Sequence, residues 1–368
     1  MTKKPSYRFV GYTEPWERRK LGEISSRVKG NDGRMDLPTL TISAGQGWLD
    51  QRERFSGNIA GKEQKNYTLL RKGELSYNHG NSKLAKYGVV FQLNNYTEAL
   101  VPKVYHSFKM IDGRSGTFFE YLFATKIPDR ELGKLVSSGA RMDGLLNITY
   151  DDFMSIKLTF PKNNEEQTAI GSFFQDIDQL ISLQQRKLEV LKEQKKTYLK
   201  LLFSAKGQTK PALRFAGFED EWKEVKLGEI IQSISSKNYI TEYYEEGNNP
   251  VIQQGDIPIV GFSDNKPFNN FSNVILFGDH TLSLFKPETP FLLATDGIKI
   301  LHSDLTTQPF LFIMLERYLP KSQGYKRHYS LLKNELSSLP SLPEQEVIGS
   351  FFQDLDKAIA KQEEKVNQ

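Results

Sequence analysis

Apolar residues between Glu165 and Ser204 recur at steps of three and four, in a stretch that has no proline and a single glycine, Gly171. These steps follow one face of an α-helix, and a seam of this spacing is typical of a helix that packs against a second helix. Forty residues at about 1.5 Å each predict a rod of roughly 60 Å. The seam consists of Phe174, Ile177, Ile181, Gln184, Leu188, Leu191, Lys195, Tyr198 and Leu202.

A second helix with the same seam is predicted at 343–368. Gln184 and Gln362 occupy equivalent positions, and a polar seam residue sets register and partner choice at a cost in stability. We expect the two helices to pack on each other; the alternative is that each apolar face packs on its own domain. The second helix lacks a counterpart of 191–203, so it is either naturally short or missing its end. Its seam consists of Phe352, Leu355, Ile359, Gln362 and Val366.

The chain contains one module twice. The repeated blocks are Pro5–Trp16 with Pro211–Trp222, Lys20–Ile24 with Lys226–Ile230, and Ile170–Asp176 with Ile348–Asp354. The first two pairs are offset by 206 residues and the third by 178, so the middles between them differ in length by 28 residues. Solenoids normally need three or more short repeats, and two long copies therefore indicate a pseudo-two-fold protein. Matching blocks that frame unlike middles predict a shared frame with two different contents.

Both middles have the pattern of a mixed α/β fold with many short strands. Tyr87–Leu93, Val274–Phe277 and Phe291–Ala294 read as strands, and Gly, Asn, Asp and Pro separate such runs. The predicted fold class is therefore α/β (α+β), with two domains that alternate with two long helices. The predicted boundaries are 1–162 for the first domain, 163–205 for the first helix, 206–342 for the second domain and 343–368 for the second helix.

The charge of the chain is uneven. Of its 368 residues, 49 are Lys or Arg and 45 are Asp or Glu, a net charge of +4. Residues 1–160 carry +8, whereas residues 206–338 carry −2. The first region is therefore suited to a polyanion and the second is not on bulk charge alone. No apolar run is long enough for a membrane span and the polar start does not resemble a signal peptide, so we expect a cytoplasmic protein.

The sequence shows no sign of catalytic chemistry. It has no cysteine, which excludes disulfides, thiol catalysis and cysteine zinc sites. It also lacks a phosphate-binding Gly-x-x-x-x-Gly-Lys motif, and Asn249-Pro250 is followed by Val251 and not by a second proline. Its five histidines have no metal-ligand spacing. We therefore expect a non-catalytic chain that binds no metal or cofactor.

Two motifs, each present twice, resemble those of the specificity (S) subunit of type I restriction–modification enzymes. Trp-x-x-x-Lys-Leu-Gly-Glu-Ile begins at Trp16 and Trp222, and Glu-Gln-x-x-Ile-Gly-Ser-Phe-Phe-Gln-Asp-x-Asp begins at Glu166 and Glu344. The second middle adds the Phe-Gly-Asp-His-Thr motif that ends at Thr281 and the Ala-Thr-Asp-Gly-Ile-Lys-Ile motif that ends at Ile300. The resemblance covers nearly the whole chain.

The resemblance implies a DNA-reading role. Each middle would be a target recognition domain for one half of a split, asymmetric site, and the helices would form an antiparallel coiled coil that serves as spacer. A rod of roughly 60 Å spans about 17 base pairs at ~3.4 Å rise. Partners would be double-stranded DNA, two methyltransferase (M) subunits and the restriction/translocase (R) subunits. S-adenosylmethionine would be bound by the M subunit, not by this chain.

Candidate DNA-contacting residues lie in polar loops of both middles, because Asn, Lys and Arg suit base edges and phosphates. These residues are His79, Asn81, Lys83, Arg141, Asn265, Lys266, Lys326 and Arg327. An ordinary polar turn is the alternative interpretation for each of them. His280 is equally compatible with a structural role and with a DNA contact. The residues expected in the helix seam or on the M-subunit face are Phe173, Phe174, Ile177, Ile181, Leu188, Phe351, Phe352, Leu355 and Ile359.

Two other functions remain open on sequence alone. The chain is compatible with a two-domain scaffold that binds only proteins, although the +8 first region and the Asn- and Lys-rich loops favour DNA. It is also compatible with the specificity subunit of a restriction–modification system that has a different cleavage component. Random-duplex binding separates the first alternative from DNA reading, and neighbouring genes separate the second.

Overall fold

The computed structural model describes residues 5, 7–52, 61–136, 145–205, 207–242, 245–324 and 326–367. The chain divides into two units, Met1–Leu180 and Ile181–Gln368. The division falls inside one long helix, so each unit contains part of it. No helix within the described ranges is both long enough and apolar enough to cross a membrane.

The first unit contains ten strands among its described residues. They are β1 (Glu17–Lys20), β2 (Ser25–Arg27), β3 (Leu40–Ser43), β4 (Gly47–Asp50), β5 (Thr68–Arg71), β6 (Leu75–Asn78), β7 (Val89–Gln92), β8 (Glu98–Val101), β9 (His106–Met110) and β10 (Lys157–Phe160). The central sheet has the order β2-β9-β6-β7, and its pairs are antiparallel. Three two-stranded sheets surround it, β1-β10, β3-β4 and β5-β8.

Short helices cover the first unit's sheet. They are α1 (Gly116–Ala124), α2 (Asp129–Leu132) and α3 (Tyr150–Ser155). Ser115 caps α1 by accepting the backbone N–H of Phe118, and Thr149 forms a capping box with Asp152 at the start of α3. Phe119 on α1 packs into the main core with Phe160 of β10. The core therefore fixes the strand that leads directly into the long helix α4 (Asn164–Leu201).

The second unit contains nine strands among its described residues. They are β11 (Lys223–Lys226), β12 (Gln232–Ile234), β13 (Asn249–Ile252), β14 (Ile259–Ser263), β15 (Ile275–Gly278), β16 (Leu284–Phe285), β17 (Leu292–Leu293), β18 (Ile298–His302) and β19 (Leu336–Leu339). The sheets have the orders β12-β18-β15-β16, β14-β13-β17 and β11-β19. Its helices are α5 (Leu227–Ile230), α6 (Gln308–Arg317), α7 (Tyr329–Asn334) and α8 (Leu342–Asn367).

The two units arrange corresponding elements in the same order. In each, an early strand pairs with the strand that precedes a long helix, as β1-β10 and as β11-β19. In each, a four-stranded sheet follows, as β2-β9-β6-β7 and as β12-β18-β15-β16. The additional small sheets differ, since β13 pairs in parallel with β17 in the second unit. The framing elements thus follow the sequence repeat, and the elements that differ lie in the unlike middles.

A buried glutamate near the start of α4 explains part of the first repeated block. Glu166 is fully buried and accepts two hydrogen bonds from Arg8, both at 2.6 Å. The indole Nε1 of Trp16 donates to the same carboxylate at 3.3 Å. A buried charge needs a paired, hydrogen-bonded partner, and the arginine supplies two parallel donors. The N-terminal block is therefore needed where the helix begins.

The second unit repeats this arrangement at α8. Glu344, which is 1% exposed, accepts hydrogen bonds from Arg214 at 2.7 and 2.8 Å. Trp222 Nε1 donates to Glu344 at 3.0 Å. The next residue also matches, because Gln345 Oε1 accepts from the backbone N–H of Thr307 as its counterpart in the first unit accepts from the N–H before α1.

Within the second unit, the last part of α4 packs against α8. Gln362 Nε2 donates to the backbone oxygen of Gln184 at 2.9 Å and to its side-chain oxygen at 2.7 Å. Further along α4, Lys195 pairs with Asp356 at 2.9 Å, so contacts on the two helices run in opposite directions. The two glutamines that are equivalent in the sequence repeat therefore contact each other directly, and Gln362 is buried at that contact.

The seam residues before Gln184 are exposed. Exposed fractions are 46% for Phe173, 43% for Phe174, 36% for Ile177 and 48% for Ile181. Leu188, by contrast, is half-buried. On α8, Phe352 is fully buried, and Phe351, Leu355 and Ile359 are half-buried. Within the second unit, α4 contacts α8 from Gln184 onward.

Candidate nucleic-acid interface

His79 joins three loops at one end of the first unit's central sheet. It follows β6 and is 6% exposed. Its Nδ1 lies 2.7 Å from the backbone oxygen of Leu146 and its Nε2 lies 3.0 Å from the backbone oxygen of Val104. The N–H of Leu146 donates back to the oxygen of His79 at 2.8 Å. Its predicted DNA contact stays a prediction, and the geometry shows a side chain already engaged with backbone.

The loops that His79 joins present basic and amide side chains. Asn81 and Lys83, both predicted, are exposed between β6 and β7. Lys86 and Lys103 are exposed on the same group of loops. Lys103 was not identified from sequence. Only the contact between His79 and Val104 brings the loop of Lys103 beside the loop that follows β6. This group of exposed side chains can pair with phosphate oxygens and contact base edges.

Stacked aromatic rings pack against His79 and the end of β6. Tyr77 stacks on Phe153 with ring centroids 4.2 Å apart, and His79 stacks on His106 at 4.8 Å. His106 Nε2 lies 2.8 Å from the backbone oxygen of Ile148. Burial lowers the pKa of His106 to about 4 from its ordinary value of 6.5, so the ring is neutral at physiological pH.

Replacing His106 with glutamine is expected to reduce the loss of stability between pH 7 and pH 4. The folded-state pKa lies below the unfolded value, so the neutral ring's contribution is complete above pH 6.5 and is lost as the pH falls toward 4. The wild-type chain should lose on the order of 2 kcal/mol more than His106→Gln over this range. Urea unfolding at several pH values measures the difference, and parallel curves for the two proteins would contradict it.

Four loops meet in the second unit. The backbone N–H of Gly255 donates to Ser283 Oγ at 2.9 Å, and the N–H of His280 donates to Gln254 Oε1 at 3.1 Å. The N–H of Asp279 donates to the oxygen of Gly297 at 2.8 Å. We name these residues, together with residues 321–324 and 326–328, the second loop cluster.

His328 connects Gln323 to the loop of Asp279. It is fully buried, with Nδ1 3.0 Å from the backbone oxygen of Asp279, and its Nε2 accepts from the N–H of Gln323 at 3.0 Å. The carboxylate of Asp279, 2% exposed, accepts from the N–H of Tyr329 at 2.7 Å. The sequence drew attention to His280, but its neighbour Asp279 and the distant His328 make the connection between the loops.

The four predicted DNA-contacting residues of the second unit lie in two separate places. Lys326 and Arg327 are exposed in the segment that His328 holds, and Arg327 lies 3.6 Å from Asp296. Asn265 and Lys266 are also exposed, but they follow the end of β14 that lies away from the 253–258 turn. Asn265 Nδ2 donates to Thr241 Oγ1 at 2.9 Å. Only Lys326 and Arg327 therefore belong to the second loop cluster.

Arg141, the remaining predicted contact, lies outside the described residues, which omit 137–144. Leu145 and Leu146, which follow that segment, are fixed beside His79 and Gly80. Throughout the described ranges, no group of three or more histidine, aspartate or glutamate side chains is placed to hold a metal ion. The two units thus each fix a loop by a buried histidine, but they use different positions and different partners to do so.

Comparisons with known proteins agree with this description. Residues 219–368 match the family model described as type I restriction modification DNA specificity domain. A curated relative, the type I restriction enzyme MjaVIII specificity subunit of Methanocaldococcus jannaschii, is 26% identical over 272 residues. That match covers 62% of this chain and 62% of the relative.

Solved structures share the fold over nearly the whole chain. The type I restriction–modification S subunit from M. genitalium has a TM-score of 0.60 at 16% identity, covering 100% of this chain and 95% of that one. A chain from work on complex assembly and conformational transition of the type I R-M system has a TM-score of 0.50 at 17% identity, covering 99% and 95%. Residues 219–368 are therefore similar to the type I restriction modification DNA specificity domain, and the chain as a whole has the fold of the M. genitalium S subunit.

Proposed function

We propose that this chain is the sequence-reading subunit of a type I restriction–modification complex and recognises a bipartite, asymmetric DNA target. The observation that carries the proposal is the presence of two loop clusters on sheets of the same order, each fixed by a buried histidine and each presenting different side chains. The same frame with unlike loops is what two readers of unlike sequences require.

The first reader combines its loops with positive charge. Lys83, Lys86 and Lys103 are exposed around the residues that His79 holds. Lysines at such positions neutralise phosphates and set the register of the protein on the duplex, while Asn81 has the donor and acceptor pair that suits adenine. The second reader depends less on charge, because Asp296 lies beside Arg327. Base and shape readout would therefore contribute more to its specificity.

We propose that the chain is a duplicated module with boundaries near 162, 205 and 342, and that α4 and α8 form an antiparallel coiled coil. The contact between Gln184 and Gln362 supports this, because it pairs the repeat-equivalent residues of the two helices. Ion pairs flank it, with Lys192 to Glu363 at 2.7 Å and Lys195 to Asp356 at 2.9 Å. Polar and charged contacts of this kind fix the register and partner of helix pairs.

Exposed apolar positions on α4 support a protein partner, which we propose to be the methyltransferase subunits. Leu180 is 56% exposed, Ile181 48% and Leu183 64%, on a helix whose other exposed positions are mostly polar or charged. Apolar side chains in such density are typical of interaction surfaces. We further propose that restriction/translocase subunits join this assembly and that the chain itself performs no catalysis. S-adenosylmethionine would bind to the methyltransferase subunits.

Mapping of methylated adenines in cells that express the chain with its methyltransferase subunit tests the proposal. We expect one asymmetric motif in two parts that is lost when the gene is removed. Because Asn81 and Lys83 lie in the first reader, the double variant Asn81→Ala/Lys83→Ala should change or weaken one part and leave the other part unchanged. A continuous palindrome would contradict two unlike readers, and random methylation would favour a scaffold without sequence preference.

A further inference from the structure

The first unit has a basic groove between α2 and the strand pair β1-β10. Its volume is about 530 Å³. Four exposed cationic side chains line it, whereas the described residues around it supply one carboxylate, that of Glu131. The walls of the groove therefore carry an excess of positive charge. The cationic residues are Arg18, Arg130, Lys134 and Lys157.

Strand pairing and two ion pairs bring these cations together. Arg18 and Lys20 lie two residues apart on β1, and Lys157 of β10 is the cross-strand partner of Lys20, so the three share one face of the strand pair. Glu131 Oε1 of α2 accepts from Lys134 Nζ at 2.6 Å and from Arg18 Nη2 at 3.3 Å. A single carboxylate thus orients side chains from both walls toward each other, and the groove keeps its positive charge.

The helix α2 also connects the basic groove to the loops that His79 joins. Tyr87, in the loop between β6 and β7, packs against the core that contains Leu132 of α2. A Cβ placed on Gly133 would lie 3.1 Å from Tyr87 Oη, so this loop closely approaches the end of α2. Lys86 Nζ lies 5.3 Å from the centre of the Tyr87 ring. The cations of the first reader and those of the groove therefore lie on neighbouring surfaces.

The second unit has different residues at the equivalent positions of its strand pair β11-β19. Arg18 corresponds to Glu224 at the repeat offset of 206. The partner of Lys226, which corresponds to Lys20, is Leu336 where the first unit has Lys157. A partner that bound both frames alike would need the same charges in both. The difference therefore favours an anionic partner that contacts the first unit alone.

We propose that the basic groove binds phosphates of duplex DNA beside the half of the target that the first unit reads. Its position next to the loops of Lys83 and Lys86 favours DNA over an acidic protein segment, because a duplex held at those loops continues as a row of phosphates. Phosphate contacts add affinity and fix register without reading sequence. The groove therefore strengthens binding at one half-target and leaves the recognised bases unchanged. The inference rests on the proposed DNA-reading function and adds a binding site outside the loops.

Phosphate-ethylation interference tests the proposal, with the complex of the chain and its methyltransferase subunit on a duplex that carries the mapped motif. We expect interference at phosphates beside the half-target that Asn81→Ala/Lys83→Ala changes. In Arg18→Glu/Lys157→Leu this interference should disappear, and affinity at low salt should fall about tenfold or more. The slope of log affinity against log salt should decrease by about 2, because two phosphate contacts are lost.

The same variant provides its own test of folding. Glutamate and leucine occupy the equivalent positions of the second unit, so a strand pair of this register accommodates both residues. The methylated motif should remain unchanged in Arg18→Glu/Lys157→Leu, because the reading loops are intact. A changed motif would overturn the proposal, since the groove would then contribute to base recognition.

Arg19→Glu is the matched control, because Arg19 lies on the opposite face of β1 from Arg18 and pairs with Glu23 at 3.1 Å. It should leave the interference pattern and the salt slope unchanged. Identical interference patterns for the wild type and Arg18→Glu/Lys157→Leu, with the motif preserved, would overturn the groove proposal alone. A double variant that binds the duplex normally but no longer assembles with its partner subunits would overturn it in favour of an acidic protein surface. A wild-type complex without sequence preference would overturn the DNA-reading function as well.

Discussion

Replacing Arg214 with methionine is expected to lower the free energy of unfolding of the second unit by about 3 kcal/mol. Arg214 donates two hydrogen bonds to Glu344, which is 1% exposed, and Trp222 supplies the only other hydrogen bond to that carboxylate among those described. Methionine keeps much of the side-chain volume but removes the charge, so a buried carboxylate is left without its counterion. Urea unfolding followed by the indole N–H resonance of Trp222 measures the change.

A double-mutant cycle and a surface pair provide the controls for this prediction. Glu344→Gln combined with Arg214→Met should be more stable than Arg214→Met alone, because the uncompensated charge is gone. Lys210 and Glu221 form an ion pair at 3.8 Å. Their side chains are 60% and 70% exposed, respectively. Lys210→Met should therefore change stability by less than about 0.5 kcal/mol. If Arg214→Met and Lys210→Met lowered the free energy of unfolding equally, the buried ion pair of Glu344 would contribute no more to stability than an exposed pair.

The frame of the protein was predictable because its residues are repeated in the sequence. The blocks around Trp16 and Glu166 occur again around Trp222 and Glu344, and the structure joins the two blocks of each copy by hydrogen bonds. Two segments that must stay complementary to each other are constrained together, whereas a loop that contacts only DNA is free to change. The family resemblance followed from these constrained segments.

A period of three and four identifies an apolar face but does not say what covers it. From Gln184 onward the face of α4 packs on α8, while Phe173 to Ile181 are exposed. The extent of a helix–helix seam is thus set by both partners, and one helix pattern cannot give it.

The loops of the two proposed readers were the least predictable part, because residues far apart in sequence define them. The bond between His79 and Leu146 joins residues 67 positions apart, and the bond between His328 and Asp279 joins residues 49 apart. Sequence pattern identified both loop regions as polar but could not say which side chains face inward. His79 was selected as a candidate DNA contact and is 6% exposed, whereas Lys103 was not selected and is exposed.

Replacing His328 with alanine is expected to relax recognition of one part of the DNA target by about tenfold or more. His328 connects the segment that carries Lys326 and Arg327 to Asp279, and alanine can replace neither hydrogen bond. The segment would then no longer be held in one conformation, so its contacts with the duplex would lose their specificity. Methylated-adenine mapping with the variant should show degenerate bases in that part alone.

His79→Ala is the matched control for this prediction, because it loosens the equivalent loops of the first unit. It should relax the other part of the target and leave intact the part that His328→Ala affects. His328→Gln should recover some specificity, since a glutamine amide can donate to the oxygen of Asp279 and accept from the N–H of Gln323. If both alanine variants relaxed the same part of the motif, the two loop clusters would not be separate readers, and the assignment of one half-target to each unit would be wrong.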